Sequence, residues 1–369
     1  MSTPSPAPSD FDARLHRFRQ HLADTLVPLW QGPGWNAEMA LPYEALDAEH
    51  RPLPVVRYRA MACARQLYLF SSRLEQPGAA ERAATLFRSL RTHFHDAEHG
   101  GWFYSIDAHG QPLDRRKDLY THAFIVFACA HYWGQVGERL VASTLEGALS
   151  VVAERFARGD GSYEASLGED WSDLGSGPLQ NPQMHLAEAF LQTLAVRADE
   201  AVQETLIGLC EALQRDFIDP DTGVMLERPR GAPDNWFEPG HQFEWFFLLD
   251  TSPLLRETAL HASITRGFAH AERVGVQDGA VLAMLGVDGQ VIDATQRIWA
   301  QAEYVRALAL RPAWRERLAR QLQVLETRFL TAEGWHECRD GAGRVSRHDM
   351  PSTTPYHLAT CLAGLQGQP

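Results

Sequence analysis

The chain has 369 residues, 45% of them hydrophobic, so it can bury a large core, and its length alone would allow two domains. A formal net charge of −13 argues against nucleic acid or an anionic membrane surface as a partner. No apolar run reaches the roughly 18 residues that a membrane-spanning helix needs.

The first ten residues, MSTPSPAPSD, are rich in Ser and Pro and lack the basic-then-apolar layout of a secretion signal. They predict a short disordered tail over 1–10, with Ser9 or Asp10 capping the first helix. From residue 11 to 369 no linker-like shift in composition occurs, which predicts one domain. Five cysteines, Cys63, Cys129, Cys210, Cys338 and Cys361, show no CxxC spacing. They read as thiols of a cytoplasmic protein, mostly buried, rather than a disulfide framework or zinc site.

Along the chain, long amphipathic helices alternate with more apolar ones. Val141, Leu145, Leu149, Val152 and Phe156 step by three and four, as a helix with one buried stripe does. Segments with Asp/Gly turns between short strand-like runs follow several of these helices: 100–114, 160–170, 219–230, 281–293 and 334–349. Each leads into a helix apolar on most sides, marked in turn by Arg59, His122, His185, His241, Trp299 and His357. These markers recur about every 60 residues, too long for most solenoid repeats. The fold predicted is all-α, an (α/α)6 barrel of six helical hairpins with short β-hairpins at one face.

Three of the apolar helices begin alike: NPQMH to His185, EPGH to His241 and TPYH to His357. Proline favours the first helical position, and Asn181 and Thr354 are good caps before it. All three imidazoles are thus expected near a helix N-terminus, whose partial positive charge favours the neutral form. Neutral histidines serve as bases and return the proton as acids. Asn181, His185, Glu188 and Gln192 form a polar stripe expected to face a wet cavity, and His241 and Glu244 share one face of an aromatic helix. For Asn181, capping alone is a sufficient reading.

His and Glu at i, i+3 in HLAE and HQFE could reach one ion, but neither matches the HExxH of zincins or the Glu-x-x-His of di-iron bundles, so no metal is expected. Glycoside hydrolases also use this fold, and Glu188, Glu238, Glu244 and Glu303 are candidate carboxylates, though no pair stands out. Phosphate-binding glycine loops and GxSxG are absent.

Six stretches in order, RAMACARQLYLFS (59–71), KDLYTHAF (117–124), QNPQMHLAEAFL (180–191), EPGHQFEW (238–245), RIWAQAE (297–303) and PSTTPYHL (351–358), resemble the N-acylglucosamine 2-epimerase superfamily. That family uses an (α/α)6 barrel and chemistry at C2 of an open-chain sugar. The resemblance implies His241 and His357 as the acid/base pair, with His185 assisting ring opening or binding. It implies Arg59 near the reacting oxygens, Glu244 paired with His241, and Trp299 against the sugar; Glu188, Glu238, Gln301 and His122 complete the expected substrate contacts. No metal, nicotinamide or other cofactor is implied. Many epimerases of the family carry YDQ where this chain has Tyr120-Thr121-His122. The histidine, with ARQLYLFS, looks closer to the mannose isomerase side; a core residue bonded to a neighbouring carbonyl is the other reading of His122. The expected reaction is a D-mannose to D-fructose type isomerisation through a cis-enediolate, by a monomer or homodimer acting on a monosaccharide. A sugar 2-epimerase and a glycoside hydrolase are the alternatives.

Overall fold

In the computed structural model, which describes residues 10–366, helices of two kinds alternate. The amphipathic set comprises α1 (10–31), α3 (79–94), α5 (139–156), α7 (Glu200–Asp216), α9 (Ala259–Gly275) and α11 (315–329). The apolar set comprises α2 (Ala60–Ser71), α4 (Leu119–Val136), α6 (Gln180–Val196), α8 (Pro239–Thr251), α10 (Ile298–Leu308) and α12 (Thr354–Gln366). The expected tail lies outside the described residues except for Asp10, which is already helical. All five cysteines are free, and four are buried, Cys338 being partly exposed. No helix among the described residues is long and apolar enough to cross a membrane.

Burial explains the two kinds. In α5 only Val141, Leu145 and Ala148 are buried, with Val152 and Phe156 following in a terminal π-helical turn. Similar π turns close α3 and α11 on Leu90/Phe94 and Leu325/Phe329, pairs four residues apart that both point inward. By contrast, Ala60 to Ser71 is buried at every position, and α8 is buried from Pro239 to Trp245 without a break. A helix covered on all sides needs neighbours on all sides. Each apolar helix packs against the next in sequence and against its amphipathic neighbours, and α12 packs back on α2.

Short strands stitch the units together at one end. The strands before three of the apolar helices pair antiparallel with the hairpin of the following unit: Tyr58–Arg59 with Ser105–Ile106, Lys117–Asp118 with Ser166–Leu167, and Gln296–Arg297 with Cys338–Arg339. Phe237 bridges Leu285 in the same way. Met350–Pro351, before the last apolar helix, pairs with Ala45–Leu46 near the start of the chain.

In four of the six units one side chain ties the hairpin to its own apolar helix. Gln183 Oε1 accepts the N–H of Tyr163 (3.1 Å), Gln242 Oε1 that of Met225 (2.8 Å) and Gln301 Oε1 that of Val281 (2.9 Å). In α4 the same service comes from His122, whose Nε2 accepts the N–H of Trp102 (3.2 Å) while Nδ1–H donates to the Asp118 carbonyl (2.8 Å). Each bond satisfies a buried backbone donor that would otherwise be costly.

Candidate active site

The tethers fix four of the apolar helices, and one buried position on each apolar helix, two residues beyond the tether where there is one, joins a ring of neighbours. Those residues are Arg65, Phe124, His185, Glu244, Glu303 and His357, spaced about 60 apart in sequence. Each touches the next. The Arg65 guanidinium lies 4.2 Å from the Phe124 ring centre, and Phe124 lies 4.7 Å from His185. His185 Nδ1 is 4.0 Å from Glu244 Oε1, and ligand atoms of Glu244, Glu303 and His357 all fall within 4.8 Å of one another.

Above this ring is a cavity of about 200 Å³, lined by its polar members Arg65, His185, Glu244 and His357 together with Tyr120, Asn181, Glu238, His241, Arg297 and Trp299. It shares Arg65, Tyr120 and Asn181 with a wider vestibule of about 640 Å³ at the hairpin end. Gly240 is required here by proximity: a Cβ would lie 2.7 Å from the Trp299 ring.

His185, His241, Glu238, Glu244 and Trp299 of the sequence-derived candidates therefore line one cavity with His357. Glu188 lies one turn deeper, where its carboxylate accepts from His185 Nδ1 (3.2 Å) and from the Tyr356 hydroxyl. It faces a separate cavity of about 370 Å³, with Gln192 and Arg306. The polar stripe of α6 thus serves two cavities. Arg59 stands in the vestibule, its guanidinium bound to Glu44 (2.6 Å), and does not line the inner cavity. His122 and Gln301 are the hairpin tethers already described and lie away from it.

Arg65 and Glu227, absent from the sequence-derived set, complete the site together with Glu303, which the sequence offered only as a candidate hydrolase carboxylate. Arg65 is buried with no carboxylate partner among the described residues; it donates to the Tyr120 hydroxyl (2.7 Å) and lies against Tyr120, Phe124 and Tyr356, with Nε unpartnered. Glu303 accepts from His357 Nδ1 (2.8 Å) and from Arg306 (3.2 Å). Glu227, on the hairpin before α8, accepts from His241 Nδ1 (2.7 Å). The signal for Arg65 was present: a cation in the middle of an otherwise apolar helix, the same anomaly that marks His241 and Glu244.

The sequence alone predicts three neutral imidazoles. Burial lowers His185 to about 4, and burial, aided by the Arg65 charge, holds His357 well below the usual histidine value. His241 goes the other way. Burial opposes its charge, but Glu227, Glu238 and Glu244 outweigh that and raise it to about 9. Burial also raises Glu244 well above the usual carboxylate range, reinforced by Glu303 and Glu188. Both Glu244 oxygens are buried without a hydrogen-bond partner.

These shifts give stability a pH dependence. His122 and His185 sit near 4 when folded, against 6.5 for an ordinary histidine, so below pH 6.5 the unfolded chain binds protons first. Their contribution is present above 6.5 and is lost as pH falls toward 4, at about 3 kcal/mol per pH unit while both titrate. His241 contributes fully below 6.5 and loses its contribution as pH rises through about 9. The thermal midpoint, followed by differential scanning fluorimetry, is expected to peak near neutrality and fall more steeply on the acid side. A flat profile between pH 4 and 7 would contradict the buried neutral histidines.

Of four groups of side chains among the described residues that could each converge on one cation, Asp96, His99 and Glu169 lie outside this site and three belong to it: His185, Glu188 and Glu244; Glu227, Glu238 and His241; and Glu244, Glu303 and His357. In all three the histidine Nδ1 already donates to a carboxylate, leaving only Nε2 free.

The sequence model described as N-acylglucosamine 2-epimerase (GlcNAc 2-epimerase) matches residues 42–361. A mannose-6-phosphate isomerase of Rhizobium meliloti is 27% identical, covering 94% of this chain and 95% of its own length. A D-mannose isomerase of Thermobifida fusca is 28% identical over 72% of this chain and 71% of its own. The structure of cellobiose 2-epimerase from Bacillus thermoamylovorans superposes with a TM-score of 0.87 at 18% identity, over 96% of this chain and 99% of that one, which shows a shared fold.

Proposed function

The chain belongs to the N-acylglucosamine 2-epimerase family, and from that premise we propose that it is an aldose–ketose isomerase acting on a sugar of the mannose type. The supporting observation is a pair of imidazoles on one small cavity, His357 held neutral and His241 held cationic, with the unpaired Arg65 in the same wall. Trp299 lies against both rings, at 5.1 and 5.6 Å between centres, and offers an apolar face for a sugar. The twelve helices are proposed to close as an (α/α)6 barrel, in a cytoplasmic monomer or homodimer.

Ring opening exposes the C1 carbonyl and acidifies the C2 proton. Neutral His357 removes that proton through Nε2, its Nδ1 being engaged by Glu303. The electron pair moves into C1=C2, and the charge reaching O1 is met by Arg65. His357 then returns the proton to C1 as the O2 proton leaves and C2=O forms, giving the ketose. His241, with Glu244, is placed to give and take protons at the sugar oxygens. The scheme uses no metal, so activity should survive EDTA.

Because His241 is cationic, it can also deliver a proton to C2 from the other side, which would yield the epimer; a 2-epimerase is therefore the second reading. A glycoside hydrolase fits less well. Of its candidate carboxylates, Glu303 is engaged by His357 and Arg306 and Glu188 by His185 and Tyr356, and neither lines the cavity.

Proton NMR of the protein with D-mannose, and separately with mannose 6-phosphate and cellobiose, in D2O tests the proposal. Ketose carrying deuterium supports isomerisation, and a C2 epimer without ketose supports the second reading. No exchange at C2 in any sugar would overturn both.

A further inference from the structure

Resting on the acid/base reading above, we propose that Glu227, which lies on a hairpin outside all the helices, is the positioning residue that makes His241 the acid of the pair. The contrast between the two imidazoles carries the inference. Each donates Nδ1–H to a buried carboxylate at nearly the same distance, His241 to Glu227 at 2.7 Å and His357 to Glu303 at 2.8 Å. What stands behind each carboxylate differs.

Behind Glu303 is a cation. Arg306 donates to it at 3.2 Å and also approaches Glu188 at 3.8 Å, so much of the negative field at His357 is cancelled. Behind Glu227 is a neutral amide. Gln180 Nε2 donates to both Glu227 oxygens (3.0 and 3.1 Å) and lies 2.9 Å from His241 Nδ1, and Gln180 Oε1 accepts from the Trp245 indole (2.9 Å). The backbone of Glu227 is fixed as well, its N–H donating to the Trp236 carbonyl (2.9 Å) and its carbonyl accepting from Gln180 (3.3 Å). The carboxylate is therefore held without being neutralised, and the imidazolium gains the full benefit of it.

The same bond fixes the ring. With Nδ1–H committed to Glu227 and the ring lying against Trp299, Nε2 is the atom left for the cavity. The other charged or titratable groups facing His241 are Glu238 just ahead of α8, Glu244 on α8, Arg297 just ahead of α10, His357 on α12, and Arg65 and His185 across the cavity. Among the carboxylates, only Glu227 touches the ring within hydrogen-bond distance.

Glu227→Gln tests this in the full-length protein, because it keeps the shape of the side chain and removes its charge. Expected are a kcat lowered by about 10²-fold, a KM within a few-fold of wild type, and an alkaline limb of the pH–rate profile moved down by a unit or more. Glu227→Asp restores the position of that limb even where kcat stays low, which a purely structural role for the side chain would not produce. Nitrogen-15 NMR of the histidines, with His241 assigned through His241→Asn, reads the charge directly: at pH 7.5 both ring nitrogens of His241 carry protons in the wild type, and Glu227→Gln loses that state. A neutral His241 in the wild type, or an unmoved limb in Glu227→Gln, overturns the proposal. Should Glu227→Gln not fold, the wild-type NMR titration still decides, a doubly protonated His241 supporting the proposal. Should no sugar react, the isomerase reading falls while the NMR result judges Glu227 independently.

Discussion

His357→Asn is expected to lower kcat by about 10²–10⁴-fold, the range spanned by a positioned general base, while leaving the thermal midpoint nearly unchanged. Asparagine is chosen because its amide can still donate to Glu303, so the buried carboxylate keeps a partner and the large cost of an orphaned charge is avoided. What disappears is the Nε2 lone pair facing the cavity. Two measurements separate this from a folding defect: ketose formation under saturating substrate, and exchange of the C2 hydrogen in D2O. Both fall together if His357 is the base. A variant that still exchanges C2 at more than a tenth of the wild-type rate would move the base elsewhere, with His185 as the next imidazole in the wall.

Arg65→Met separates activity from stability in an unusual direction. Arg65 is buried among three rings and has no carboxylate partner among the described residues. Methionine has similar length, packs well against aromatic faces and removes an uncompensated charge. The variant is therefore expected to be at least as stable as the wild type in thermal denaturation. Its kcat is expected to fall by about 10²–10³-fold, the usual cost of losing a group that meets a developing oxyanion. Loss of stability without loss of kcat would make Arg65 a packing residue and leave the enediolate charge to some other group.

Much of this site was legible from sequence, for a specific reason. An apolar helix that carries a lone polar group advertises a wet interior, and His185, His241, Glu244 and His357 were visible on that ground, three of them dated by the proline at their helix start. The same rule applied without a preferred residue type would have picked Arg65 from AMACARQLYLFS. Arg59, chosen through the family resemblance, is engaged by Glu44 in the vestibule. His122 and Gln301 matched the anomaly but satisfy backbone donors; a histidine lone pair can do there what a glutamine oxygen does in three neighbouring units. Glu227 was invisible because its meaning depends on a turn that folds residue 227 back onto residue 241, and nothing in MLERP marks that pairing.

The pairing of Met350–Pro351 with Ala45–Leu46 has a consequence for how the molecule comes into being. Along the chain, the strand that meets the first hairpin comes about 300 residues after it, and His357 follows that strand. Until that stretch is in place, α2, buried at every position in the finished fold, has no α12 to cover it. A chain made from its N-terminus therefore passes through a stage with an open apolar seam, the kind of surface that chaperones shield. Contacts spanning about 300 residues also make the closing step slow.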